Sequence, residues 1–73
     1  MVTVVVKDNS LQTTRVRKGL GLRQLGELAG VTYVAVSRIE NGLQNPNPGT
    51  AAKICKALGV EFDDLFEIKP REV

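Results

Sequence analysis

An all-α domain of five short helices, preceded by one short strand or extended arm, is the fold class this 73-residue chain predicts. Three observations point there. Gly19, Gly30, Gly42 and Gly59 each follow a segment with helix-like apolar spacing, where a left-handed residue can end a helix without steric cost. Asn47 and Pro48 stand ahead of another such segment, a cap followed by the residue best suited to the first helical position. The run VTVVVKD at the start has a different character, β-branched and without helical period, and reads as a strand of five or six residues. No partner strand is legible for it in the rest of the chain.

The elements follow in order. Asn9 and Ser10 cap a first helix, Leu11 to Lys18, and a second runs from Leu22 to Ala29. Thr32 caps a third, Tyr33 to Asn41; a fourth ends at Leu58, and a short fifth spans Phe62 to Phe66. The expected organisation is an arm over 1–9, a helical domain over 10–68 and a tail over 69–73. At about 100° per residue, Ala35, Val36, Ile39 and Glu40 share one half of the third helix. Tyr33, Val34, Ser37, Arg38 and Asn41 share the other, so Val36, Ala35 and Ile39 are the core candidates and Arg38 faces out. In the second helix Leu22, Leu25, Gly26 and Ala29 share a face, and Gly26 removes a side chain where another helix could approach closely. Two short helices joined by Gly30-Val31-Thr32, with Val31 plugging the gap, form a helix-turn-helix arrangement.

Charge narrows the function. Residues 1–60 carry eight Lys/Arg against three Asp/Glu, and residues 61–73 two against five, so a basic body precedes an acidic end. A basic body favours a polyanionic partner without specifying one. The single cysteine excludes an internal disulfide, and the chain has no histidine. Cys55 therefore reads as a small core residue, with no histidine at hand to serve it as base or fellow metal ligand. The apolar run at Met1 to Val6 is too short for a membrane span or secretory signal, and the chain reads as cytoplasmic. No catalytic pair, phosphate loop or metal cluster is legible; neither enzyme nor cofactor is expected.

The stretches GVTYVAVSRIENG and KICKALGVEFDDLF resemble the Cro/repressor-type (XRE-like) helix-turn-helix proteins, and the likeness runs from about Leu11 to Phe66. It implies a compact five-helix domain that binds operator DNA as a homodimer, with helix 33–41 in the major groove. It also implies that Arg15 pairs with Glu40 of the E-N-G motif as a structural ion pair. On this reading Tyr33, Val34, Ser37 and Arg38 read bases, Arg38 through guanine and the first two through thymine methyls. The chain departs from the family where Leu22 replaces a frequent glutamine and where LQNPNP replaces loop cations. Phosphate positioning then falls to Arg23, Thr32, Asn41, Gln44, Asn45 and backbone amides at the start of the second helix. Lys53 and Lys56 read as a solvated face.

A competing reading keeps the scaffold and changes the partner. Outward Tyr33, Val34, Leu28 and Leu43 could bind a protein, as in an antitoxin or regulatory subunit. For assembly, the sequence offers the apolar groups Phe62, Leu65, Phe66 and Ile68, or residues 2–6 pairing with their own copy across a two-fold axis.

Overall fold

Chain order in the computed structural model, which describes residues 2–70, is β1 (Val2–Val6), α1 (Ser10–Arg17), α2 (Leu22–Ala29), α3 (Tyr33–Glu40), α4 (Pro48–Leu58), α5 (Phe62–Leu65) and β2 (Phe66–Pro70). The five helices lie within a residue of the expected bounds. Gly19, Gly30, Gly42 and Gly59 all adopt positive φ, between 68° and 74°. Two caps work through side chains: Thr32 Oγ1 accepts from the Ala35 N–H at 3.1 Å, and Asn47 Oδ1 from the Thr50 N–H at 2.8 Å.

The start of α1 differs from expectation. Asn9 occupies the cap position in a left-handed conformation, φ 46°, and its side chain caps nothing. Ser10 is instead the first helical residue. Its hydroxyl lies 2.8 Å from the Lys7 carbonyl and 2.9 Å from the Leu65 carbonyl. That contact ties α1 to the far end of the chain, a long-range demand that local cap chemistry does not reveal.

The larger correction concerns the first strand. β1 has a partner within the chain: β2 pairs with it antiparallel, Val2 opposite Pro70, Val4 opposite Ile68 and Val6 opposite Phe66. The Lys7 N–H extends the ladder to the Leu65 carbonyl at 2.8 Å. FEIKP was missed because its charges and proline mask a strand signal; only Phe66, Glu67 and Ile68 alternate as a half-buried strand does. Lys69 and Pro70, expected in a tail, belong to β2, and residues 71–73 of that tail lie outside the described residues.

The core collects Leu11, Leu25, Val36, Ile39, Ile54, Leu58, Leu65 and Phe66, all essentially inaccessible to solvent. Burying each such side chain contributes roughly 1.5–3 kcal/mol, which matters in a domain of this size. Val4 joins this cluster from β1, so the strand is seated on the helical body rather than hanging free. Cys55 is buried on α4, and burial, followed by nearby Asp64 and Glu61, pushes its thiol pKa up. It is a protonated core group.

Gly26 has a specific geometric role. A Cβ built there would lie 2.7 Å from the Val31 carbonyl oxygen and 3.2 Å from the Tyr33 nitrogen. The neighbour that approaches is therefore the turn backbone leading into α3, more than the helix that the sequence pattern suggested. That approach sets how α3 leaves α2.

Candidate nucleic-acid interface

Packing decides which face of α3 is available. Val36 and Ile39 are sealed in the core, and on the opposite side Tyr33 is 44% and Val34 46% exposed. Arg38 and Asn41 are exposed beside them, and Ser37 is half-buried. The result is one outward ridge carrying an aromatic ring, a branched aliphatic group and a guanidinium.

Arg15 and Glu40 fix the base of that ridge. Arg15 Nε donates to Glu40 Oε2 at 2.6 Å and Arg15 Nη2 to Glu40 Oε1 at 3.1 Å, a two-point pairing. Arg15 Nη1 also donates to the Leu20 carbonyl at 2.8 Å. Both side chains are largely buried, and the hydrogen bond to Glu40 is the main cause that raises the Arg15 pKa above its ordinary value. This arginine is consumed internally, linking α1, the α1–α2 turn and the end of α3.

The remaining cations on this side are differently placed. The only other ion pair among the described residues joins Glu67 and Lys69, so neither Arg23 nor Arg38 is neutralised by a carboxylate. The Arg23 guanidinium lies over the Tyr33 ring, 4.7 Å from its centroid. Among the described residues its donors have no hydrogen-bond partner, while the ring restricts where they point. Sequence reasoning missed this stack, because Arg23 and Tyr33 sit on different helices and become neighbours only through the Gly30-Val31-Thr32 turn. Around them Glu27, Val31, Thr32 and Val34 complete a shallow depression.

Other expected contacts are more committed to the protein itself. The Thr32 oxygen is engaged as the α3 cap, although its hydroxyl proton is left over. Asn41 turns its amide nitrogen back to the Ser37 carbonyl at 3.0 Å. At the start of α2, Gln24 Oε1 accepts from the Gly21 N–H at 2.7 Å, which holds the helix entrance. The N–H groups of the first turn have no partner within the helix, so this end is suited to an anion. Gln44 and Asn45 are exposed in the loop after α3, and Asn45 also borders a groove beside β1 lined by Val2, Thr3, Val4 and residues 46–48. Lys53 and Lys56 are exposed on α4. Among the described residues no helix is long and apolar enough to cross a membrane.

Comparison with known proteins agrees with the helix-turn-helix fold. A family model described as helix-turn-helix matches residues 11–65. The chain is 40% identical over 58 residues to the uncharacterized HTH-type transcriptional regulator YgzD of Bacillus subtilis, a match covering 80% of this chain and 88% of that one. It is 36% identical over 57 residues to the HTH-type transcriptional repressor RghR of the same organism, covering 77% of this chain but only 42% of RghR. Among solved structures, the restriction-modification controller protein C.AhdI of Aeromonas hydrophila superposes with a TM-score of 0.75 at 28% identity, covering 78% of this chain and 86% of that one. The clp gene regulator ClgR of Corynebacterium glutamicum superposes at 0.71 with 32% identity, covering 78% and 74%.

Proposed function

Because this chain belongs to the helix-turn-helix family, we propose that it is a sequence-specific DNA-binding transcriptional regulator of the repressor type, acting in the cytoplasm and not an enzyme. The observation that carries the reading is the outward ridge of α3. It bears Arg38, which has no ion-pair partner among the described residues, beside exposed Tyr33 and Val34, on a helix that two core residues and the Arg15–Glu40 pair hold in place. A helix so presented fits the major groove.

In this reading Arg38 donates to guanine O6 and N7, while Val34 and the Tyr33 ring edge meet thymine methyls and Ser37 adds a short polar contact. Arg23, the Thr32 hydroxyl, Gln44, Asn45 and the first-turn amides of α2 hold phosphates. The Asn41 amide, already bonded within its helix, supplies at most its remaining valences. One module covers few base pairs, so two modules in a homodimer reading a pseudo-palindrome are the arrangement that gives useful selectivity. Selection of bound duplexes from random DNA tests this directly. Enrichment of paired half-sites about one helical turn apart is expected, and recovery of no enriched sequence would refute it.

A second reading rests on two exposed leucines. Leu28 is 61% and Leu43 77% exposed on the same molecule, an apolar display suited to a protein partner, as in an antitoxin or regulatory subunit. Affinity for DNA that falls steeply with added salt distinguishes the first reading; a stoichiometric protein complex surviving high salt distinguishes the second.

A further inference from the structure

Val34 and Arg38 stand four positions apart on α3, one turn along the same outward ridge, which sets their Cβ atoms about 5–6 Å from each other. Neighbouring bases rise about 3.4 Å along a DNA strand, and the helical twist adds a sideways step, so the two side chains match adjacent base edges. Their reach differs. Arg38 is long and exposed and has no ion-pair partner among the described residues, so its guanidinium can extend to the floor of the groove and lie in the plane of a guanine, on O6 and N7. Val34 is short, ends in two methyl groups and is 46% exposed. It offers neither donor nor acceptor, and so gains only from an apolar group on the neighbouring base.

In the major groove that apolar group is the substituent at C5 of a pyrimidine. Thymine carries a methyl there, cytosine a hydrogen, and 5-methylcytosine the same methyl as thymine. When the pyrimidine lies 5′ to the guanine, the twist of the duplex sets its methyl against the flat face of a guanidinium coplanar with that guanine. Val34, one turn back along the ridge, then covers the methyl from the other side. Val31 and Thr32 border the same shallow depression as Val34 and extend its hydrocarbon surface. Cytosine without the methyl leaves a gap between valine and guanidinium, and a gap forfeits contact on both sides.

We propose that Val34 and Arg38 together read a C5-methylated pyrimidine followed by guanine, so that thymine-guanine and 5-methylcytosine-guanine steps are bound in preference to the unmethylated cytosine-guanine step. This rests on the DNA-binding reading given above and deepens it by naming the chemical group on the DNA that the ridge recognises. Methylation of cytosine at C5 then acts as a mark that creates a binding site where the bare sequence has none.

Selection with the full chain from two random duplex pools tests it, one pool unmodified and one methylated at C5 of every cytosine-guanine step. The unmodified pool should yield half-sites with thymine before the guanine, and the methylated pool should yield 5-methylcytosine as a second solution at the same position. Fluorescence anisotropy on the enriched duplex then isolates the methyl group. Replacing that thymine by uracil, and replacing 5-methylcytosine by cytosine, should each weaken binding by about fourfold per half-site, the effect of losing one buried methyl. Val34→Ala, a change on an exposed helix face to a good helix former, should shrink both differences while keeping the requirement for guanine. Uracil bound as tightly as thymine, half-sites with no pyrimidine-guanine step, or a Val34→Ala chain with undiminished methyl preference would overturn the proposal while leaving sequence-specific DNA binding intact. Failure to enrich any sequence from either pool would overturn the DNA reading and this one with it.

Discussion

Replacing Gly26 with alanine adds one methyl group where the turn backbone is closest to α2. In the interior of a helix the change alone would stabilise by about 0.5–1 kcal/mol, since alanine has less backbone entropy to lose. At this position the new Cβ meets the Val31 oxygen at 2.7 Å and the Tyr33 nitrogen at 3.2 Å, both backbone atoms that no rotamer change can move away. Overpacking of this kind costs about 1–3 kcal/mol. The net expectation is destabilisation by about 1–2 kcal/mol, read by urea denaturation of the full chain. Gly49→Ala supplies the control, because its Cβ meets only the Asn47 Oδ1 atom at an ordinary 3.4 Å. That variant should be neutral or slightly more stable. If Gly26→Ala is as stable as Gly49→Ala, the turn is not in close contact with α2 and the account of how α3 is aimed fails.

Arg15→Met should cost about 3–5 kcal/mol by leaving the Glu40 carboxylate buried and unpaired, and Arg15→Met with Glu40→Leu should recover much of it; a double variant no more stable than the single would remove the ion pair from the stability argument. Arg38→Ala should lower affinity for the selected operator by roughly 1–3 kcal/mol and relax one base preference per half-site, whereas uniform weakening on all duplexes would make Arg38 a phosphate contact. Tyr33→Leu should weaken DNA binding and flatten its salt dependence by releasing Arg23, and Tyr33→Phe should retain the slope; equal slopes in both variants would separate the stack from phosphate binding. Cys55 should react with a thiol reagent only as fast as the chain unfolds, and rapid labelling of the native protein would contradict its burial.

The helices were legible because their punctuation is local: a glycine behind each of the first four, Thr32 or Asn47 in front of two, and apolar spacing between. The inward and outward faces of α3 were legible for the same reason, from Val36 and Ile39 alone. What escaped depends on residues far apart in sequence. β2 hides behind its charges and Pro70, the Ser10 hydroxyl is drawn to Leu65 instead of serving a cap, and the Arg23–Tyr33 stack exists only after the turn has folded. The Arg15–Glu40 contact is also long-range, and family resemblance, not periodicity, supplied that pairing.

The pairing of β1 with β2 also orders events during synthesis. VTVVV leaves the ribosome ahead of the five helices that follow it and stays without its partner until Phe66 to Pro70 have followed. For that interval an uncharged β-branched segment is available to any other nascent copy on the same message, which is the composition that favours intermolecular sheets. Lys7 and Asp8, directly after it, are the nearest charges that can discourage such stacking. Slower translation of the stretch between Val6 and Phe66 should therefore lower expression yield, because it prolongs the exposure of the first strand.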